Sequence, residues 1–438
     1  MMQKKSNLEE QNYPTVLCLE KCVKMYHRFK RKEMIQMKYD FTSIMDRRGK
    51  DALAVDGLGR MTGFAPDAPK EGFDVIPMWV ADMNFPTLPN IQEAMIERIS
   101  HPAFGYFFTS DAYYNAIIEW HRKRNGIQDL KKEYIGYENG VLGGLMSAVR
   151  AFAQPGDSIL LHSPTYVGFT ASIENGGYHI VHSPLKMDDQ KIWRMDYEDM
   201  DRKIKENHIH LAVFCNPHNP AGRVWEREEL EKAMEVYRKN DCIVISDEIW
   251  SDIILKDHHH IPLSSINEDA KNRTISFYAP SKTFNLAGLI GSYHIIYNEY
   301  LRDRVRASGS KSHYNSMNVL SMHALIGAYC EDGEEWVDEL CEVIGDNIDF
   351  ACKHIEKNYE GVTFGRPQGT YMLFLDCEEW CKAHKVSIDE LLKRGWDVGV
   401  SWQDGRRFHG AYAIRMNLAL PLTRVEEAFR RLDQYVFI

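Results

Sequence analysis

Three short stretches of this 438-residue chain carry residue types that can act together in one chemistry. The first is Asn216-Pro217-His218-Asn219-Pro220-Ala221-Gly222. The second is Ser246-Asp247-Glu248-Ile249-Trp250, and the third is Ala279-Pro280-Ser281-Lys282-Thr283-Phe284-Asn285. Each follows or sits in a short apolar run that reads as a buried parallel strand. A lysine amine at such a strand end can form a Schiff base with an aldehyde. A carboxylate can keep a pyridinium nitrogen protonated so that the ring accepts electrons, and an asparagine amide can donate to a ring oxygen. Lys282, Asp247 and Asn219 are thus the set that a pyridoxal phosphate site needs. The plain alternative is an α/β protein with a lysine in a loop.

The elements that must position these residues are legible as a pattern. Stretches 158–162, 210–215, 242–246, 274–278 and 293–297 are short, apolar and rich in β-branched or aromatic residues, the signature of strands buried on both faces. Amphipathic stretches such as 226–238 lie between them. Such βα alternation predicts a mostly parallel sheet covered by helices, with ligands beyond the carboxyl ends of the strands. Gly140-Val141-Leu142-Gly143-Gly144 precedes a helical run at 145–153. A glycine turn into a helix start offers free N–H groups and the positive dipole end to a phosphate, although many such turns only cap helices. Stretch 334–357 reads as a long helix leading into a smaller α+β domain, with the acidic run 331–335 at its start stabilised by the dipole.

Composition narrows the class. The formal net charge of −10 argues against nucleic acid and anionic membranes as partners and leaves a small molecule. Nine cysteines are scattered. Cys18/Cys22 and Cys377/Cys381 have the spacing of one helix face rather than of a zinc knuckle, so no metal is expected and a reducing cytoplasm is the natural setting. No run of about 18 apolar residues could span a bilayer. Residues 1–36 read either as an upstream extension before a start at Met37 or as a helix, 19–34, docking on a partner subunit. His258-His259-His260 reads as a solvated loop, and the aromatic runs Tyr106-Phe107-Phe108 and Tyr113-Tyr114 as interface and core.

The order Asn-Pro-x-x-Pro-x-Gly, Ser-Asp-Glu, Ser-Lys-Thr-Phe-Asn resembles the fold-type I pyridoxal phosphate enzymes of the class I/II aminotransferase superfamily, from about Tyr39 to the C-terminus. The resemblance implies an aspartate aminotransferase-like α/β fold. It divides the chain into an extension of uncertain order (1–36), the N-terminal part of a small domain (37–84), a large cofactor-binding domain (85–325) and a C-terminal small domain (326–438). It also implies roles. Val141, Leu142 and Gly143, with Ser281, would hold the cofactor phosphate. Tyr166 would stack on the pyridine ring, plain packing being the alternative. Trp250 stands where a tyrosine is usual, and can donate from its indole nitrogen but cannot ionise. Arg415 would clamp the substrate α-carboxylate, against the alternative of a surface salt bridge. Tyr106 would reach the cofactor of the other subunit of a homodimer, against the alternative of a core tyrosine.

Within that superfamily the chain departs from the usual pattern. Ile290 stands where a phosphate-binding arginine is usual, and Ala279 where serine or glycine is usual. Ser281-Lys282-Thr283-Phe284-Asn285-Leu286-Ala287-Gly288 is instead similar to the MalY/PatB-type branch of cystathionine β-lyases and cysteine C–S lyases. Asp46-Arg47-Arg48-Gly49 and Pro77-Met78-Trp79-Val80-Ala81-Asp82-Met83 resemble that branch as well. Asn84 and the loop Ser401-Trp402-Gln403-Asp404-Gly405 depart from it, which bears on the substrate mouth. The resemblance implies a lyase that cleaves L-cystathionine or L-cysteine-type S-conjugates to a thiol, pyruvate and ammonia. The same residues also serve an aminotransferase, so that alternative stands. A regulator acting by protein contact is a third.

Overall fold

The computed structural model describes residues 37–61, 63–311 and 314–438. Both readings of residues 1–36, and the Cys18/Cys22 pair, lie outside the described residues. Phe41–Ile438 make one compact unit.

That unit is built on two sheets. Its strands, in chain order, are β1 (Ile76–Met78), β2 (Ile135–Glu138), β3 (Ser158–Ser163), β4 (His179–Pro184), β5 (Leu211–Cys215), β6 (Ile243–Asp247), β7 (Thr274–Tyr278), β8 (Ser292–Ile295), β9 (Thr363–Phe364), β10 (Met372–Asp376), β11 (Val400–Asp404) and β12 (Ala413–Asn417). The large sheet has the order β2-β8-β7-β6-β5-β3-β4. Its strands from β4 through β7 pair in parallel. Every residue of β5 and β7 is buried, as strands covered by helices on both faces must be. The predicted strand at 293–297 is present as β8, but it runs antiparallel to both of its neighbours, β7 and the edge strand β2.

The covering helices begin where their sequences provide caps. Helix Arg227–Lys239 opens on a reciprocal capping box between Glu226 and Glu229. Helix Glu299–Ser310 opens on the Asn298 side chain, and Glu331–Asn358 carries three acids in its first turn. Helix Val141–Phe152 starts four residues earlier than the glycine pattern suggested. Gly143 and Gly144 lie inside the helix, and they are glycines because neighbouring rings leave no room for a side chain. A Cβ on Gly143 would meet the Tyr314 ring at 2.6 Å, and one on Gly144 the Phe277 ring at 2.5 Å.

The small sheet has the order β1-β11-β12-β10-β9. β1 comes from the N-terminal segment and pairs in parallel with β11, while the other pairings are antiparallel. The N-terminal segment therefore shares a sheet with the C-terminal one. Cys377 and Cys381 are buried at the start of helix Glu378–His384, with the Cys381 N–H donating to the Cys377 carbonyl at 2.9 Å. Among the described residues no helix is long and apolar enough to cross a membrane, and no group of three or more His, Cys, Asp or Glu is placed to hold a metal ion.

Candidate active site

Parallel strands deliver their carboxyl ends to one rim, and the three motifs meet there. Asp247 is the last residue of β6. Asn219 lies four residues beyond β5, and Lys282 lies four beyond β7 in the short helix Pro280–Thr283. All three line a cavity of about 250 Å³ together with Val141, Leu142, Tyr166, Trp250 and Ser281. Ala279 and Ile290 line it too, so the two departures from the usual pattern sit at the cavity itself. Ile290 has φ 49°, a left-handed conformation that a β-branched residue adopts only under constraint. Gly143 is not part of the lining, since its side-chain position is taken up by Tyr314.

Burial governs the charges. The Asp247 carboxyl is pushed up to about 7 by burial, against the N–H of Ile249 that donates to it at 3.0 Å and the nearby Lys282 amine. The Lys282 amine is pushed down to about 8 by burial, partly offset by the Asp82 and Asp247 carboxylates. Its Nζ donates to the Ala81 carbonyl at 2.9 Å. The helix carrying Lys282 is pinned by its neighbour: Thr283 Oγ1 donates at 2.9 Å to the buried Asp252 carboxylate, which also accepts from Trp120 Nε1 at 3.0 Å.

Helix Val141–Phe152 has no side-chain cap, and its first intrahelical bond is Gly144 N–H to Gly140 O. Val141 and Leu142, both lining residues, thus lie in a first turn whose N–H groups have no intrahelical partner, the setting in which helix starts bind anions. The Tyr166 ring packs edge-on against Phe169 at 5.3 Å. Gly168 makes that placement possible, because a Cβ there would overlap the Tyr166 ring and crowd Leu142. Burial raises the Tyr166 hydroxyl, so it stays protonated.

Arg415, on β12, is 3% exposed. Among the described residues no carboxylate is bonded to it. Its donors go to Asn219 Oδ1 at 3.2 Å, the Trp79 carbonyl at 3.0 Å and Gln403 Oε1 at 2.5 Å, its Nε has no acceptor, and its guanidinium lies over the Phe408 ring at 4.3 Å. The surface salt bridge is thereby excluded. Burial lowers its guanidinium to about 10, so it remains a cation at neutral pH.

Sequence reasoning missed how the rest of this wall is made. Residues 79–84 form an irregular strap whose carbonyls are taken, one after another, by side chains. Arg415 takes Trp79, Asn417 takes Val80 at 2.7 Å and Asp82 at 2.5 Å, and Lys282 takes Ala81. Asn285 both donates to the Met83 carbonyl at 2.9 Å and accepts from its N–H at 3.0 Å, and Arg47 adds the Asp82 carboxylate at 2.7 Å. The motif residues Asn285 and Arg47 were visible in the sequence, but their partners were not. The stretch 401–405, read as a loop at the substrate mouth, is instead strand β11 as far as Asp404, and its pairing with β12 sets Gln403 opposite Arg415; Asn417 carried only its alternation with Arg415 on β12.

One further expectation is corrected, and another is divided. His260 is not solvated: its side chain is 2% exposed and its Nε2 lies 2.9 Å from the buried Glu248 carboxylate, which also accepts from Tyr278 Oη at 2.7 Å. Of the aromatic runs, Tyr113 is core, but Tyr106 and Phe108 are not, being 111% and 85% exposed. Tyr106 therefore lies outside this chain's cavity, and the core alternative for it is excluded.

The donor set fits a planar, phosphate-bearing aldehyde. It offers a buried amine, a buried acid opposite an asparagine, an aromatic wall and an uncapped helix start. Fold and site together define an enzyme with the aspartate aminotransferase-like, fold-type I architecture. The chain belongs to the aminotransferase class I and II family, which it matches over residues 74–432. It is 32% identical to cystathionine beta-lyase PatB of Bacillus subtilis (strain 168) over 396 residues, 90% of this chain and 98% of that protein. It superposes on cystalysin of Treponema denticola, whose crystal structure contains a pyridoxal 5'-phosphate cofactor, with TM-score 0.83 at 29% identity, covering 91% and 98% of the two chains. The pyridoxal phosphate-bound C–S lyase of Staphylococcus hominis gives TM-score 0.81 at 29% identity, covering 92% and 99%.

Proposed function

We propose that this protein is a pyridoxal phosphate-dependent C–S β-lyase. Its substrates are L-cystathionine or related L-cysteine S-conjugates, and its products a thiol, pyruvate and ammonia. The observation that carries the reading is the convergence of Lys282, Asp247 and Asn219 on one cavity beside an arginine that is buried without a carboxylate partner. The match to a cystathionine β-lyase and to C–S lyase structures over nine-tenths of the chain sets the reaction class.

Lys282 would carry the cofactor aldehyde, Asp247 would face the ring nitrogen, and Asn219 and Trp250 would face the ring oxygen side. Tyr166 would cover one ring face. The N–H groups of Val141 and Leu142, with the Ser281 hydroxyl, would hold the phosphate. When bound, pyridoxal phosphate supplies an electron-accepting ring joined to the substrate nitrogen. Arg415 holds the substrate carboxylate through charge-assisted hydrogen bonds, which fixes the α-carbon near Lys282. Burial keeps the Lys282 amine at about 8, where it can take a proton from the α-carbon and return one. The β C–S bond then breaks, and sulfur leaves with the bonding pair and takes up a proton. The remaining three-carbon fragment takes up one water and ends as pyruvate and ammonia.

The exposed Tyr106, with Phe104 and Phe108 beside it, supports a homodimer in which this segment is covered and Tyr106 reaches the partner's cavity. The two sheets support a small domain made of 37–84 and 326–438 and a large one of 85–325. The described cysteines are free thiols, which supports a cytoplasmic setting.

The test is pyruvate release from L-cystathionine by pyridoxal phosphate-loaded enzyme with no keto acid added. Release of pyruvate, ammonia and homocysteine in equal amounts is expected. Amino-group transfer that depends on a keto acid, with no free pyruvate, would make the protein an aminotransferase.

A further inference from the structure

Arg415 is prepared for a carboxylate, yet its donors are not all free. A guanidinium has five N–H groups in a fixed fork. Both protons of Nη2 are engaged, one by the Trp79 carbonyl at 3.0 Å and one by Gln403 Oε1 at 2.5 Å. One proton of Nη1 goes to Asn219 Oδ1 at 3.2 Å, and Nε is buried without an acceptor. A carboxylate pairs with a guanidinium through two parallel N–H bonds along one edge. The end-on edge uses Nη1 and Nη2, and the side-on edge uses Nε and Nη2. Either approach must therefore take an Nη2 proton from Trp79 or from Gln403.

The two occupants differ in how readily they yield. The Trp79 carbonyl belongs to a strap whose next two carbonyls are held by Asn417 and Lys282. Gln403 is a side chain on β11, directly opposite Arg415 on β12, and it can leave by rotating without moving the backbone. Because arginine only donates, the amide must present its oxygen, so it imitates half of a carboxylate. Gln403 is 4% exposed and Arg415 is 3% exposed, which makes the exchange strongly dependent on charge.

We propose that Gln403 occupies the carboxylate seat on Arg415 in the free enzyme and yields it to the substrate α-carboxylate, which makes it a specificity-determining residue. A full negative charge displaces the amide oxygen, whereas a neutral amide or ester at that position of the substrate gains nothing by doing so. The inference rests on the reading that Arg415 binds the α-carboxylate.

The experiment uses pyridoxal phosphate-loaded wild type, Q403M, Q403E and R415M. The first two replacements keep the volume of the side chain, so the sheet is undisturbed. Binding of propanoate, a carboxylate without an amine, is followed by tryptophan fluorescence, and KM and kcat for L-cystathionine are measured alongside. Q403M should bind propanoate about tenfold more tightly, the release of one hydrogen bond to a charged group, with KM falling by more than kcat changes. Q403E, which sets a resident carboxylate on Arg415, should bind it at least about tenfold more weakly. Unchanged or weaker binding in Q403M would overturn the place-holder role. Propanoate binding by R415M equal to wild type would instead overturn the carboxylate reading on which the proposal rests.

Discussion

On the large-sheet wall of the cavity, Lys282, Asp247 and Asn219 each lie at a strand's carboxyl end or within four residues of it. On the small-sheet side, Arg415 is not itself a lining residue but donates to one, Asn219; it is also held by Gln403 and the Trp79 carbonyl, and the neighbouring strap carbonyls belong to Asn417, Lys282 and Asn285. The first wall is a product of topology: any parallel sheet brings strand ends together, and three local motifs suffice to equip it. The second is assembled from side chain-to-backbone bonds to the strap from residues more than 180 positions away, with Gln403 and Asn219 joined to Arg415 side chain to side chain. The difference separates two tasks. The large-sheet wall holds Asp247 and Lys282, whose charges burial has shifted toward proton exchange, while the small-sheet side holds a fixed cation, for which recognition is the proposed task.

Predictions from largest to smallest effect test that division. Lys282→Ala should reduce kcat on L-cystathionine by at least about 10³-fold, because the amine is both the cofactor attachment and the base. Retention of more than a tenth of wild-type kcat would dissolve the assignment of chemistry to this wall. Arg415→Met should instead act on binding, raising KM by about 10²-fold through the loss of two charge-assisted hydrogen bonds, with a smaller change in kcat. An equal fall in kcat would mean that the small-sheet wall takes part in the bond-breaking step.

Asn417→Ala sharpens the contrast, because it leaves the Val80 and Asp82 carbonyls without their shared donor. A cost of about 2–4 kcal/mol is expected, read from urea unfolding. A loss within 0.5 kcal/mol would show that the strap is held elsewhere (roughly the range of a surface substitution).

The smallest effect is a pH slope. In the ligand-free fold Asp247 sits at about 7 against an ordinary 3.8, through burial. Between those values the folded chain keeps a proton that the unfolded chain has released, so this contribution is complete below the window and is lost as pH rises through it. Lys282, at about 8 against 10.5, does the reverse, and favours the fold as pH rises through its own window. Unfolding free energies of ligand-free wild type and Asp247→Asn should therefore diverge over the lower window. Parallel curves would mean that Asp247 is ionised there.

How much of this was legible follows the same line. The strands around Leu211–Cys215 and Thr274–Tyr278 were readable because burial on both faces leaves continuous apolar runs. Lys282, Asp247 and Asn219 were readable as polar residues set at the ends of such runs, whereas Arg415 was reached through the resemblance. Helix Val141–Phe152 was misplaced at its start because Gly143 and Gly144 serve close packing rather than a turn. His260 was misread because its triplet is polar, while its partner Glu248 approaches from a strand end 12 positions away. Gln403 was noticed only within a stretch read as a loop, since its bond to Arg415 depends on the pairing of β11 with β12, and Asn417 was not noticed, since its role depends on which backbone carbonyls the strap turns toward it.

The most direct measurement is borohydride reduction of the pyridoxal phosphate-loaded enzyme followed by peptide mass spectrometry. The account predicts a single reduced pyridoxyl adduct on the peptide containing Ser281-Lys282-Thr283. An adduct on another lysine, or none, would contradict the placement of the reactive amine at the end of β7.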